Sequence, residues 1–271
     1  MMKKTYILLL LSLFCINVAA NESDQLIEEV DSIAVPIMTE SIETLSKNEA
    51  DSAYIKGEYQ KAIDIYEALL EEGVAAEVYY NLGNSYYKSD NIGKAILNYE
   101  RALLLNPSNK DIQANLAIAR SKTVDKVEPL PELFFISWTK SIMNQASADG
   151  WAKWALTFFL FFLICAFLYV FSRRILLKKI SFGLGILFFL FMLASHSFAR
   201  HQKKVLLNRD TAVVMTPSVT IKSTPSESGI SLFILHEGRK VTIKDSVGEW
   251  KEIMIEDGKV GWINSNNIEI I

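Results

Sequence analysis

The stretch AEVYYNLGNSYYKSDNIGKAILNYERALLLNPSN, residues 76–109, decides the fold of the first half of the chain. Tyr79, Leu82, Gly83 and Tyr86 recur at helical spacing and so share one face of a helix. Ala95, Tyr99 and Ala102 do the same on a second helix, and Pro107 closes it. Gly83 and Ala95 are small where two antiparallel helices have to approach closely, and the tyrosines fill the spaces beside them. The stretch therefore predicts a helix–turn–helix pair.

The same pattern stands one repeat earlier. Ala62 aligns with Ala95, Ala50 with Gly83 and Tyr66 with Tyr99, while Gly57-Glu58-Tyr59 makes the turn. The connection around Gly73 is then one residue short. After Pro107, residues 110–122 (KDIQANLAIARSK) place Leu116 and Ala117 at the positions of Leu82 and Gly83. No second helix follows, so this segment predicts a cap on an open solenoid end. The order Tyr79-x2-Leu82-Gly83-x2-Tyr86, then Ala95-x3-Tyr99, then Pro107 resembles the tetratricopeptide repeat, whose period is about 34 residues. Tyr79 replaces that repeat's Trp, and Tyr99 its Phe. The resemblance implies an α-helical solenoid over residues 43–123, with Ala62, Tyr66, Leu82, Gly83, Tyr86, Ala95, Tyr99, Ala102 and Pro107 as packing positions.

Lys47, Asp51, Tyr54, Tyr80, Asn84 and Tyr87 lie one face away from the packing set and are candidates for a partner-binding groove. An alternative stays open, in which the tyrosines are simply partly buried repeat residues. Some such repeats clamp a C-terminal carboxylate with two lysines and two asparagines. Lys47 and Asn81 match that clamp, but Asp51 and Asp111 depart from it, so carboxylate gripping is not expected.

Two apolar runs follow. Residues 154–171 (WALTFFLFFLICAFLYVF) carry no charged side chain, and residues 180–198 (ISFGLGILFFLFMLASHSF) none apart from the titratable His196. Each is close to the roughly 20 residues a helix needs to cross a bilayer core. Between them SRRILLKK holds Arg173, Arg174, Lys178 and Lys179. Burying each of those charges at mid-bilayer would cost roughly 2.5–3.5 kcal/mol. A two-helix hairpin is expected, with spans 151–171 and 180–198 and an eight-residue cytoplasmic loop, 172–179. Both flanks then face one compartment. Arg200, Lys203 and Lys204 compete under the positive-inside rule, but the loop is denser in cations.

Residues 1–20 read as a secretory signal, with Lys3 and Lys4 before an apolar core and Val18-Ala19-Ala20 as a cleavage site; an uncleaved anchor is the alternative. Residues 21–42 are an acidic linker. In the juxtamembrane segment, 124–150, Pro129 and Pro131 stop helix propagation. Leu133, Phe134, Ile136, Trp138, Ile142 and Met143 then form an apolar-rich array, packed either on the repeat cap or, as favoured, in the membrane interface. Once the signal is removed, Cys165 is the one cysteine left, so no intramolecular disulfide is possible and no metal site is expected. Residues 21–150 hold 22 acidic against 11 basic side chains, which argues against nucleic-acid binding.

Residues 199–209 read as a linker, and from Asp210 the periodicity changes to two. AVV (212–214), VTIKS (219–223), KVTIKD (240–245) and WKEIMI (250–255) are short β-branched or aromatic runs separated by Pro- and Gly-containing turns. Leu235-His236-Glu237-Gly238, Trp250 and Gly261-Trp262-Ile263 make residues 210–271 resemble the bacterial SH3-like domain. That implies a small all-β barrel held together by Trp250, Gly261 and Trp262.

The whole order, from signal and repeats through hairpin to SH3-like barrel, resembles the BatE family of aerotolerance-operon proteins. ANLAIARSKTVDKVEPLPELFF, residues 114–135, supports this locally. The resemblance implies a multidomain, two-pass protein of the bacterial inner membrane whose outer domains face the periplasm. It implies an envelope-stress scaffold, with von Willebrand-type and MoxR-type operon proteins as partners. A peptidoglycan-binding or wall-sensing protein acting through the SH3-like domain is the alternative. The sequence shows no nucleophile–base pairing, phosphate-cradling Gly loop or metal-spaced cluster, so neither an enzyme nor a cofactor is expected.

Overall fold

The structure, a computed structural model, describes residues 47–126 and 133–271. The expected signal segment, the linker 21–42, and Pro129 and Pro131 lie outside the described residues. The chain divides into two compact units. One contains residues 158–190, and the other residues 47–157 together with 191–271.

In the larger unit, α1 occupies 47–55, followed by α2 (Tyr59–Glu72), α3 (Ala76–Lys88), α4 (Ile92–Leu105) and α5 (Lys110–Ser121). Gly57 turns the chain between α1 and α2 at φ 82°, a left-handed conformation that costs glycine nothing. The Asn91 side chain caps α4 by accepting from the Lys94 N–H, and Asn109 caps α5 by accepting from Asp111 and Ile112. Gly83 sits where α3 meets α4. A Cβ there would lie 2.7 Å from the Tyr99 ring and 3.3 Å from the Ala95 carbonyl. The core of the helical part is built from Ala50, Ala62, Tyr66, Leu82, Tyr86, Ala95, Tyr99 and Ala102, all buried, and continues into α5 through Ile112 and Leu116.

The C-terminal segment forms a seven-stranded antiparallel sheet in the order β3-β2-β6-β5-β4-β1-β7. The strands are β1 (Thr211–Val214), β2 (Ser218–Lys222), β3 (Ser231–His236), β4 (Lys240–Val247), β5 (Trp250–Met254), β6 (Val260–Asn264) and β7 (Ile268–Ile270). β3 and β7 are its edges. Eight aliphatic residues, among them Ile221, Val241, Ile253 and Ile263, make its core. Gly261 is buried because β6 runs hard against β2: a Cβ on it would lie 2.4 Å from Ile221 Cγ2. Trp250 and Trp262 are half-buried.

β1 joins the sheet to the helices. Its side chains alternate across the strand, and both sets are buried. Ala212 and Val214 enter the sheet core, while Val213 and the nearby Ile271 enter the core of the helical repeat. Polar contacts reinforce the junction. Glu100 on α4, with its carboxylate only 4% exposed, accepts from Arg120 of α5 and, at 2.7 Å, from Lys240 of β4. Arg101 Nη2 donates to Glu269 (3.0 Å) and to the Ile270 carbonyl (2.6 Å). The turn after β3 reaches the opening of α4, where the Glu237 carboxylate accepts the Gly93 N–H at 3.1 Å. That satisfies one of the donors a helix start leaves unpaired. Gly238, at φ 82°, passes so close that a Cβ would meet Ile96 and Thr123 at 2.8 Å.

The long helices differ from expectation at their ends. Between α6 (Phe134–Met143) and the sheet lie α7 (Ala148–Phe171) and α8 (Ile175–Asn208). The connection is residues 172–174, shorter than the expected 172–179, so Lys178 and Lys179 stand on α8 while Arg173 and Arg174 remain in the turn. The expected linker 199–209 is likewise helical through Asn208. No proline stands between Ile175 and Asn208 to break a helix, and Leu, Lys, Arg and Gln all favour one. In the smaller unit the two helices pack through Phe161 on Phe188 (5.2 Å between ring centroids) and Phe162 on Phe189 (5.5 Å). Small residues let the backbones approach there: Cys165 and Ser181 are buried, and Gly185 faces the Cys165 Cβ.

Removing the Glu100 carboxylate leaves two cations without their shared partner. A fully buried ion pair so broken costs roughly 3–5 kcal/mol, and partial solvent access to Arg120 and Lys240 reduces this to about 2 kcal/mol. Glu100→Ala is expected to lower the thermal midpoint of the full chain in detergent by several degrees, whereas Glu227→Ala leaves it unchanged.

Candidate functional site: the concave face of the repeat

With one face of α4 given over to the sheet, the first helices of each pair, α1, α3 and α5, present the side chains left over. Tyr54, Asn84, Tyr87, Lys88, Tyr99, Asn115 and Ile118 line a concavity of about 250 Å³. Three of the six groove candidates, Tyr54, Asn84 and Tyr87, are in that lining. A hydrogen-bonded amide cluster forms its floor. Asn84 Oδ1 accepts from the Tyr99 hydroxyl at 2.7 Å and from Asn115 Nδ2 at 2.9 Å. Asn115 Nδ2 also donates to the Tyr80 hydroxyl at 3.0 Å, which places Tyr80 beside the concavity rather than in its lining. Lys122 Nζ lies 4.2 Å from the centre of the Tyr87 ring, a cation–π contact at the rim.

Lys47 and Asp51 belong to a separate cluster at the junction of α1, α2 and α3. Asp51 accepts from the Tyr66 hydroxyl, from Asn81 Nδ2 at 3.1 Å and from Lys47 at 3.4 Å. Lys47 also donates to Glu77 at 2.7 Å, and this hydrogen bond is the largest influence holding its pKa above the ordinary lysine value. The pair ties three helices together, so its polar atoms are occupied within the chain.

Sequence spacing passed over Lys88, Asn115 and Lys122 as groove residues. Asn115 was legible, since it stands one repeat after Asn81 by the offset that pairs Leu82 with Leu116. Lys88 and Lys122 end their helices and carry no periodic signal. Tyr99, read as a packing residue, does both jobs: its ring fills the space Gly83 leaves, while its hydroxyl reaches the floor of the concavity.

A family model for the tetratricopeptide repeat matches residues 76–109. The chain carries a tetratricopeptide repeat. No curated protein matches the chain. The repeat is an interaction module, and its presence suggests a protein-interaction role. The matched segment is α3, α4 and the Pro107 turn, and it supplies Asn84, Tyr87, Lys88 and Tyr99 to the concavity.

Burial comes first among the causes that raise the phenol pKa values of Tyr66, Tyr86 and Tyr99 well above their ordinary value of 10.0. The Asp51 carboxylate adds to the rise at Tyr66, and Glu67 to that at Tyr86. In the unfolded chain these phenols ionise near pH 10, while in the fold they keep their protons to higher pH. The stability they contribute is therefore complete below pH 10 and is lost as the pH rises through the folded values. The thermal midpoint is expected to fall as pH is raised past about 10, and Tyr99→Phe to flatten that fall. Equal slopes for Tyr99→Phe and the parent, from parallel thermal scans, would show that Tyr99 does not carry the effect.

Proposed function

We propose that this chain is a membrane-anchored interaction scaffold. Its tetratricopeptide concave face receives an extended segment of a partner protein, and its apolar hairpin holds that face beside the bilayer. The observation that carries the reading is the division of labour between two faces of one repeat. Val213, Ile271, Lys240 and Glu269 occupy the outer side of α4, while the concavity between Tyr54, Asn84 and Tyr87 stays open. Aromatic rings, an amide cluster and the cations Lys88 and Lys122 suit a peptide that offers backbone carbonyls and acidic or apolar side chains.

The hairpin reading is supported by length and chemistry. α7 and α8 are long and apolar enough to cross a membrane, and most of their side chains are exposed, unlike those of a core helix in a soluble protein. A two-pass hairpin also agrees with the shared core. The repeat precedes the hairpin and the sheet follows it, yet Val213 and Ile271 pack with the repeat helices, which needs both on one side of the membrane. In this reading residues 1–20 are a signal, both outer domains (43–123 and 210–271) face the periplasm, and the sheet is an SH3-like barrel. Arg173, Arg174, Lys178 and Lys179 hold the hairpin tip in the cytoplasm. The resemblance to the BatE family makes von Willebrand-type and MoxR-type proteins the partners to test, in an aerotolerance or envelope-stress complex. Because the tip is short, an ATPase in the cytoplasm would couple through other membrane proteins.

Deleting 210–271 would strip Val213 and Ile271 from the repeat core, so point substitutions discriminate better than truncations. Tyr54→Ala with Tyr87→Ala is expected to weaken crosslinking to partner proteins in intact membranes by about tenfold or more, equivalent to about 1.4 kcal/mol, with the thermal midpoint retained. Trp262→Ala leaves it unchanged in this reading. If Trp262→Ala instead abolished retention by purified peptidoglycan while the tyrosine variant kept its partners, wall binding through the sheet would be the function.

Topology is tested separately. In a Cys165→Ala background, Ser172→Cys should react with a membrane-impermeant maleimide only after the cytoplasmic side is opened. Labelling from outside intact cells would reverse the orientation.

A further inference from the structure

α6 is the ten-residue helix Phe134–Met143 (FFISWTKSIM). None of its residues is buried, and Phe134, Phe135, Ile136 and Trp138 are all exposed, as is Leu133 just before it. Ten residues are too few to hold an isolated helix in water, so a surface has to cover its apolar side. At 3.6 residues per turn, Phe134, Phe135, Trp138 and Ile142 fall within an arc of about 100°, Ser137 and Ser141 flank its edge, and Lys140 lies on the opposite side beside Ile136.

What covers that face follows from how the helix is tethered. The Met143 carbonyl, in its last turn, accepts from Trp151 Nε1 of α7 at 2.7 Å and from Gln202 Nε2 of α8 at 3.1 Å. Gln202 also reaches Asn144 Oδ1 at 3.3 Å. Trp151 in turn packs edge-on against Phe198 of α8 at 5.0 Å. One end of α6 is thus fixed to the roots of both apolar helices, and α6 itself is only about 15 Å long. An apolar face held there cannot reach far from the boundary of the bilayer those helices enter.

We propose that α6 lies in the membrane surface, with Phe134, Phe135, Trp138 and Ile142 among the lipid chains and Lys140 toward the headgroups and water. This rests on the reading of α7 and α8 as a membrane hairpin.

The test uses the full chain with Cys165→Ala, reconstituted into phosphatidylethanolamine–phosphatidylglycerol vesicles, with a nitroxide at one position at a time. Labels go on Phe135→Cys and Phe134→Cys for the apolar face, Lys140→Cys for the polar face and Leu187→Cys for the span. Relaxation by oxygen, which concentrates in lipid, is compared with relaxation by a water-soluble nickel chelate. The proposal expects positions 134 and 135 to favour oxygen several-fold, as position 187 does, and position 140 to favour nickel. Nickel access at 134 and 135, or shielding of both from either reagent by a protein, overturns the surface helix while a lipid-exposed 187 leaves the anchor standing. A water-exposed 187 overturns the anchor and the surface helix together.

Discussion

The Glu100 carboxylate is the interaction on which the arrangement of this molecule depends. It is buried on the second helix of the matched repeat and shared between Arg120, on the next helix along, and Lys240, far along the chain in the sheet. A carboxylate removed from water has to be met by charge, and here that charge comes from both domains at once. Docking the sheet therefore brings the carboxylate a second cation, and Val213 and Ile271 add apolar packing to the core of the helices.

That junction explains why the concave side is the face left open. A short solenoid has few faces, and one of them is consumed as an internal interface. The Glu237 carboxylate at the start of α4, the Arg101–Glu269 pair and the His236–Asp125 contact occupy positions that would otherwise be open to partners. The aromatic and amide cluster around Asn84 is left with room beside it. The helices α1 to α5 make a short array, and Val213 and Ile271 of the sheet segment add apolar cover to its core.

Much of the helical architecture was legible because it is local. Gly83 and Ala95 announce a close helix approach, and the structure shows why: any Cβ at Gly83 would strike the Tyr99 ring. Strand β3 was harder to see, since Leu232-Phe233-Ile234-Leu235 is a continuous apolar run that hides a period of two. β7 is three residues long and too short to show a period. The long helices run past the expected span ends for another reason. Charge marks where a lipid span should stop, but a helix continues until something breaks it, and neither Lys178-Lys179 nor the run from Arg200 to Asn208 does so.

By itself the sequence determined the helix–turn–helix repeat, the two apolar helices and the strand-rich C-terminal segment, because each is written in spacings of a few residues that backbone geometry enforces. Only the tertiary structure decided that Lys47 and Asp51 are tied up among three helices, while Asn115 and Lys122 stand at the concavity. It alone decided that Leu235-His236-Glu237-Gly238 is a docking turn as well as a turn between strands. Those contacts join residues more than a hundred positions apart, as in Gly93 with Glu237. No local period encodes such a pairing, because it depends on which buried charges and apolar faces remain unsatisfied after each domain has formed.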